Sequence, residues 1–105
     1  MNNVNIVVVE GRLTADPEIV VVGDKREYIF TLANSRYYFK DQNLVDEISH
    51  FTVKVDGLLA VKCSSETLFK DRLVLVSGNM RTKDGAMYIE ANNIKFLGQR
   101  RDING

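Results

Sequence analysis

An all-β fold, a small closed barrel of five strands with one short helix, is predicted by three features of the sequence. β-Branched and aromatic residues recur in strand-length runs of alternating polarity, turn residues separate those runs, and a single stretch has helical spacing. With 105 residues, 45% hydrophobic and 27% charged, the chain has the balance of one globular domain.

Val4 to Leu13 reads as the first strand. Thr14-Ala-Asp-Pro-Glu18 ends it, because Pro17 has no N–H for a ladder and biases Asp16 away from helical backbone. Ile19 to Val22 is a second apolar run, and Gly23-Asp24 offers a tight turn into Tyr28, Phe30 and Leu32, which alternate with Ile29, Thr31 and Ala33. That is a hairpin or a bent strand. From Asn34 to Ser49 the mixture is polar, aromatic and acidic, the composition of an exposed loop between strands. Phe51, Val53 and Val55 restore alternation and face the core, which turns His50, Thr52, Lys54 and Asp56 outward. Leu59, Ala60, Cys63 and Leu68 predict a helix of about three turns. Leu73 to Met80 is the next strand, with Gly78 where a bulge or close backbone approach wants no side chain. Lys83-Asp-Gly-Ala86 holds the Asp-Gly pair of a type I′ hairpin, so Met87 to Leu97 returns antiparallel. Residues 1–99 form the domain and 100–105 a loose tail. Five strands with a helix between the third and fourth is the order of an OB-fold, a Greek-key barrel. A small β-sandwich is the alternative, disfavoured by the helix position.

Composition removes several function classes. Fourteen Lys plus Arg balance fourteen Asp plus Glu, so no gross field points to a charged partner, and a charge-driven function must come from local clustering. One cysteine and one histidine exclude a disulfide framework, a cysteine-based zinc cage and most triad chemistry. Cys63, on the apolar side of the helix, reads as a buried inert thiol. Asp46, Glu47 and Glu66 lack the spacing of a hydrolytic pair, and no glycine-rich phosphate loop is present. Nothing supports catalysis or a cofactor. Ile6 to Val9 is too short for a signal peptide or a membrane span, which makes the cytoplasm the expected location.

Gly11-Arg-Leu-Thr-Ala-Asp-Pro-Glu18 resembles the signature near the start of bacterial single-stranded-DNA-binding proteins. Further stretches follow in that family's order: Phe30-Thr-Leu-Ala33, a strand from Phe51 ending in Gly57-Leu-Leu-Ala60, Val74 to Thr82, and Tyr88 to Gly98. The resemblance covers nearly the whole chain and implies a homo-oligomer, dimer or tetramer, built through the first strand, with single-stranded DNA as partner in replication, recombination or repair. Val4, Ile6 and Val8 fit such an interface and fit a barrel core equally well. There are departures. The family's stacking tryptophans are missing, since this chain has none. Asp56 stands where the family has an aromatic before the helix glycine, the last hairpin is cut to Arg81-Thr-Lys-Asp-Gly, and the final residues, Gln99 to Gly105, do not match the family's long acidic-tipped segment. The shorter length also resembles primosomal replication protein N, which implies a module for replication or primosome proteins with weak or no DNA binding.

Single strands are held by exposed rings that stack on bases and by cations that meet phosphates. The leading candidates are Tyr37, Tyr38 and Phe39, flanked by Arg36 and Lys40. Alternation puts Tyr37 and Phe39 on the face opposite Tyr38, so at least one ring is exposed unless all pack on a barrel end or a subunit. Family position favours Tyr38. Lys54 is placed to contact phosphate, His50 to stack, and Asp56 to repel phosphate, with Thr52 between them, although a merely solvated face reads equally well. Arg72, Arg81 and Lys83 add positive charge near the same mouth. Arg12 either holds a strand end or touches phosphate, the first being the commoner role. Arg100 and Arg101 add non-specific attraction or fray with the terminus.

Overall fold

The computed structural model describes residues 2–98. The expected tail and the Arg100–Arg101 pair lie outside them. Six strands and one helix follow in order: β1 (Val7–Leu13), β2 (Glu18–Val22), β3 (Lys25–Lys40), β4 (Asn43–Val55), α1 (Gly57–Val61), β5 (Leu73–Lys83) and β6 (Ala86–Phe96).

Five of the strands close on themselves. β1 pairs with β5, β5 with β6, β6 with β4, β4 with β3, and β3 returns to β1 at Ala33↔Arg12 and Leu32↔Leu13. The contact between β4 and β6 is parallel and the others are antiparallel. The remaining strand, β2, is a hairpin arm on β3 formed by the Ile19–Val22 run and its Gly23-Asp24 turn. This is the predicted five-stranded OB barrel, with its helix between β4 and β5.

Closure gives every strand an inner side, and alternation fills it. Leu13, Leu32, Val53, Val55, Val74, Val76 and Ile89 are fully buried there, with Leu68 beside them. Each such side chain gains roughly 1.5–3 kcal/mol by leaving water. The end of β1 and the turn after it are tied to the segment before β5: the Lys70 amide donates to Asp16 Oδ1 at 2.8 Å, and Arg12 Nη1 donates to the Asp71 carbonyl at 3.0 Å. Arg12 therefore holds a strand end. The Tyr28 hydroxyl, deep in the core, donates to the Cys63 carbonyl at 3.0 Å and fixes the segment after α1 against β3.

Two sequence expectations are corrected. Residues 34–49 are not a loop: β3 and β4 continue as a paired ribbon out to Lys40↔Asn43, turning through Asp41 and Gln42 at φ 51° and 68°. The helix is five residues rather than three turns. Ala60, Cys63 and Leu68 are buried as their spacing predicts, but the chain leaves the helix at Lys62. There the Ser64 amide donates to Thr67 Oγ1, and the Glu66 amide donates to Ser64 Oγ, local bonds that compete with helix. The other hairpin is as expected, with Asp84 and Gly85 at φ 53° and 81°.

Candidate nucleic-acid interface

A barrel strand that buries every second residue must present the others outside. On β4 these are His50, Thr52 and Lys54, in register with Ala33, Thr31 and Ile29 of β3. The same parity carries outward along the ribbon to Tyr37, opposite Asp46, and Phe39, opposite Leu44. Both rings are bare, 64% and 76% exposed. The ribbon's other side carries Arg36, Tyr38 and Lys40. The Arg36 guanidinium lies 4.6 Å from the Tyr38 ring centre, and the Tyr38 hydroxyl donates to Glu47 Oε2 at 3.4 Å. Tyr38 is half-buried under these neighbours. The structure thus sorts the candidates into two groups. Tyr37, Phe39, His50, Thr52 and Lys54 share one side of the ladder, and Arg36, Tyr38 and Lys40 share the other.

The outer surface continues from β4 onto β6 and β5 through the Lys54↔Glu90 pairing. Arg81 and Lys83 arrive on it from β5. A residue absent from the sequence candidates joins them: the Lys54 ammonium lies 5.9 Å from the ring centre of Tyr88, which sits across from Arg81. At that distance ring and cation attract each other. The signal for Tyr88 was present, because a two-residue turn at Asp84-Gly85 sets Lys83 opposite Ala86 and hence Arg81 opposite Tyr88. Carboxylates accompany the cations. Lys54 pairs with Glu27 at 3.6 Å and Arg81 with Glu90 at 3.8 Å. Asp56 is half-buried at the start of α1.

Arg72 is a correction. It is 5% exposed, stacked between the Phe69 and Phe96 rings at 5.4 and 5.6 Å, and its Nε donates to the Leu97 carbonyl at 2.8 Å. A guanidinium enclosed in this way is a packing element of the barrel end and presents no charge to a phosphate. Cys63 is buried as expected, and burial pushes its thiol up to about 11, which leaves almost no thiolate at neutral pH. Among the described residues no cluster of His, Cys, Asp or Glu is placed to hold a metal ion. None of their helices is long and apolar enough to cross a membrane.

A closed five-stranded barrel with rings and cations on its outer ladder defines an OB-fold binding protein. The single-strand binding protein family matches residues 4–95, and the chain belongs to that family. Membership implies single-stranded DNA binding, and the family is non-catalytic. No curated protein matches the chain. Solved structures do. One is the single-strand binding protein of Plasmodium falciparum in complex with single-stranded DNA, at TM-score 0.81 and 20% identity, covering 93% of this chain and 98% of that one. The small single-stranded-DNA-binding protein of Streptomyces coelicolor matches at TM-score 0.72 and 22% identity, covering 92% and 94%. The second single-stranded-DNA-binding protein of Mycobacterium smegmatis matches at TM-score 0.66 and 24% identity, covering 88% and 87%. These likenesses establish the fold.

Proposed function

We propose that this protein coats single-stranded DNA exposed in replication, recombination or repair, with little regard to sequence. Tyr37, Phe39 and Tyr88 stack on bases while Lys54, Arg81 and Lys83 meet phosphates. The observation that carries this reading is the gathering of bare aromatic rings and cations on one side of the barrel of a neutral chain. Flat apolar rings gain by covering a base, each stack contributing about 1–3 kcal/mol, and they do not discriminate between bases. Cations displace condensed counterions, so affinity falls with salt by about 0.7 logarithmic units per phosphate contact. With three or four such contacts, titration of fluorescent oligo-dT at several salt concentrations is expected to give a slope of about −2 to −3. Absence of binding at low salt would remove this reading in favour of a protein-docking barrel.

The second part of the proposal is a homo-oligomer, a dimer or tetramer. Val4, Ile6 and Val8, which also fitted a core, are exposed instead. They lie on or just before the first half of β1, and β1 meets β3 only at Arg12 and Leu13. That half of the strand is an open edge with an apolar outer row, a combination that favours pairing with another strand. Sedimentation equilibrium is expected to return a multiple of the 11.9 kDa chain mass, and a monomer at micromolar concentration contradicts the proposal.

A further inference from the structure

The groups best placed to hold a single strand are already engaged by carboxylates of the same chain. Lys54 is held by Glu27 at 3.6 Å and Arg81 by Glu90 at 3.8 Å. The two contacts lie on separate strand pairs, Glu27 with Lys54 across β3 and β4 and Glu90 with Arg81 across β6 and β5. Each pair is partly open to solvent, with side-chain exposures of 27% and 31% for the first and 47% and 38% for the second, so a phosphate can reach the cation.

We propose that Glu27 and Glu90 are built-in phosphate competitors that weaken binding and flatten its salt dependence, keeping the coat easily displaced. This inference rests on the single-strand-binding reading above. A phosphate oxygen and a carboxylate oxygen offer the same charge-assisted bond to an ammonium or guanidinium. When the strand arrives, the cation exchanges one anion for the other, and the abandoned carboxylate stands beside the sugar–phosphate chain. That carboxylate recruits a cation from solution, which cancels part of the counterion release that drives association. The platform then gains less from low salt than its number of cations suggests. The protein's overall neutrality acquires a local meaning: the cations are present at the interface, but their charge is held in check there.

Solvent-exposed ion pairs of this kind shift an equilibrium by about 0.2–1 kcal/mol, or roughly 1.5-fold to fivefold each. The test is oligo-dT titration across salt concentrations with Glu27→Gln, Glu90→Gln and the double variant, each first verified as folded by thermal melting. Each single change is expected to tighten binding at low salt within that range, and the double change by roughly fivefold, with a steeper slope. A double-mutant cycle isolates proximity from general charge: Glu27→Gln in a Lys54→Met background is expected to change nothing beyond Lys54→Met alone. Equal tightening with and without Lys54 would overturn the proposal, since the effect would then come from the overall field. Wild-type binding that the carboxylate changes leave untouched would also overturn it while sparing the single-strand reading. Failure of wild type and double variant alike to bind would remove both.

Discussion

Gly78→Ala is expected to destabilise the barrel by about 3 kcal/mol or more, at the upper end of what a single added methyl costs. In a domain of this size each kcal/mol moves the midpoint by about 4–8 °C, so the melting temperature falls by about 12 °C or more. The reason is a close approach of two backbones. The register of β5 against β6 slips between Ser77 and Gly78, and the bulge drives β5 into its neighbour. A Cβ at position 78 would stand 2.0 Å from the Glu90 carbonyl oxygen, 2.9 Å from its carbon and 3.0 Å from Ala91 Cα. None of these atoms belongs to a side chain that could turn aside. The ladder itself must open, and it holds buried Ile89 and Ala91 on one side and Glu90 and Tyr88 on the other. Gly85→Ala is the comparison, because its Cβ would meet nothing within 4 Å and only the positive φ opposes it. It is expected to cost about 1 kcal/mol. Equal melting temperatures for the two variants would show that β6 yields at the bulge.

The barrel was legible because closure makes alternation report burial. Phe30, Leu32, Val53 and Val55 point inward where the period-two pattern places them. The ribbon was hidden for the same reason. Beyond Ala33 the paired strands leave the core, so both sides of residues 34–49 meet water and no polarity pattern marks them as strand. Their turn carries Asp41-Gln42 in left-handed backbone without the glycine that announces such a turn. Parity within the ribbon survived, and Tyr37 and Phe39 do oppose Tyr38. The helix failed differently: buried positions at near-helical spacing were correct, but a five-residue helix followed by a Ser64-centred turn satisfies that spacing too. Arg72 depended on Phe96, distant in the chain, and only the closed barrel brings that ring against it. Of the site, strand parity predicts the outward row on β4, whereas the carboxylates beside Lys54 and Arg81 come from other strands and follow only from the cross-strand register.

Tyr37→Ala and Lys54→Ala are expected to weaken DNA binding in distinguishable ways, which makes the pair a direct test of how the platform works. Removing the Tyr37 ring, bare on the same side of the ladder as Lys54, removes the proposed stack. The loss is about 1–3 kcal/mol, roughly fivefold to 150-fold in affinity. A neutral ring displaces no counterions, so plots of affinity against salt for wild type and variant are expected to run parallel. Lys54 contributes charge. Its loss removes one phosphate contact, so the variant binds more weakly at low salt and its line flattens by up to about 0.7. The two lines therefore converge on wild type only for Lys54→Ala as salt rises. Tyr88 complicates the lysine variant in a useful direction: with the ammonium 5.9 Å away gone, its ring loses a cation partner and becomes freer to stack, which opposes the loss at high salt. A Lys54→Ala line that crosses above wild type at high salt would identify Tyr88 as a base-stacking ring. A Tyr37→Ala line of altered slope would instead place that residue's contribution in the charge of Asp46, directly across the ladder, and take the stacking role away from Tyr37.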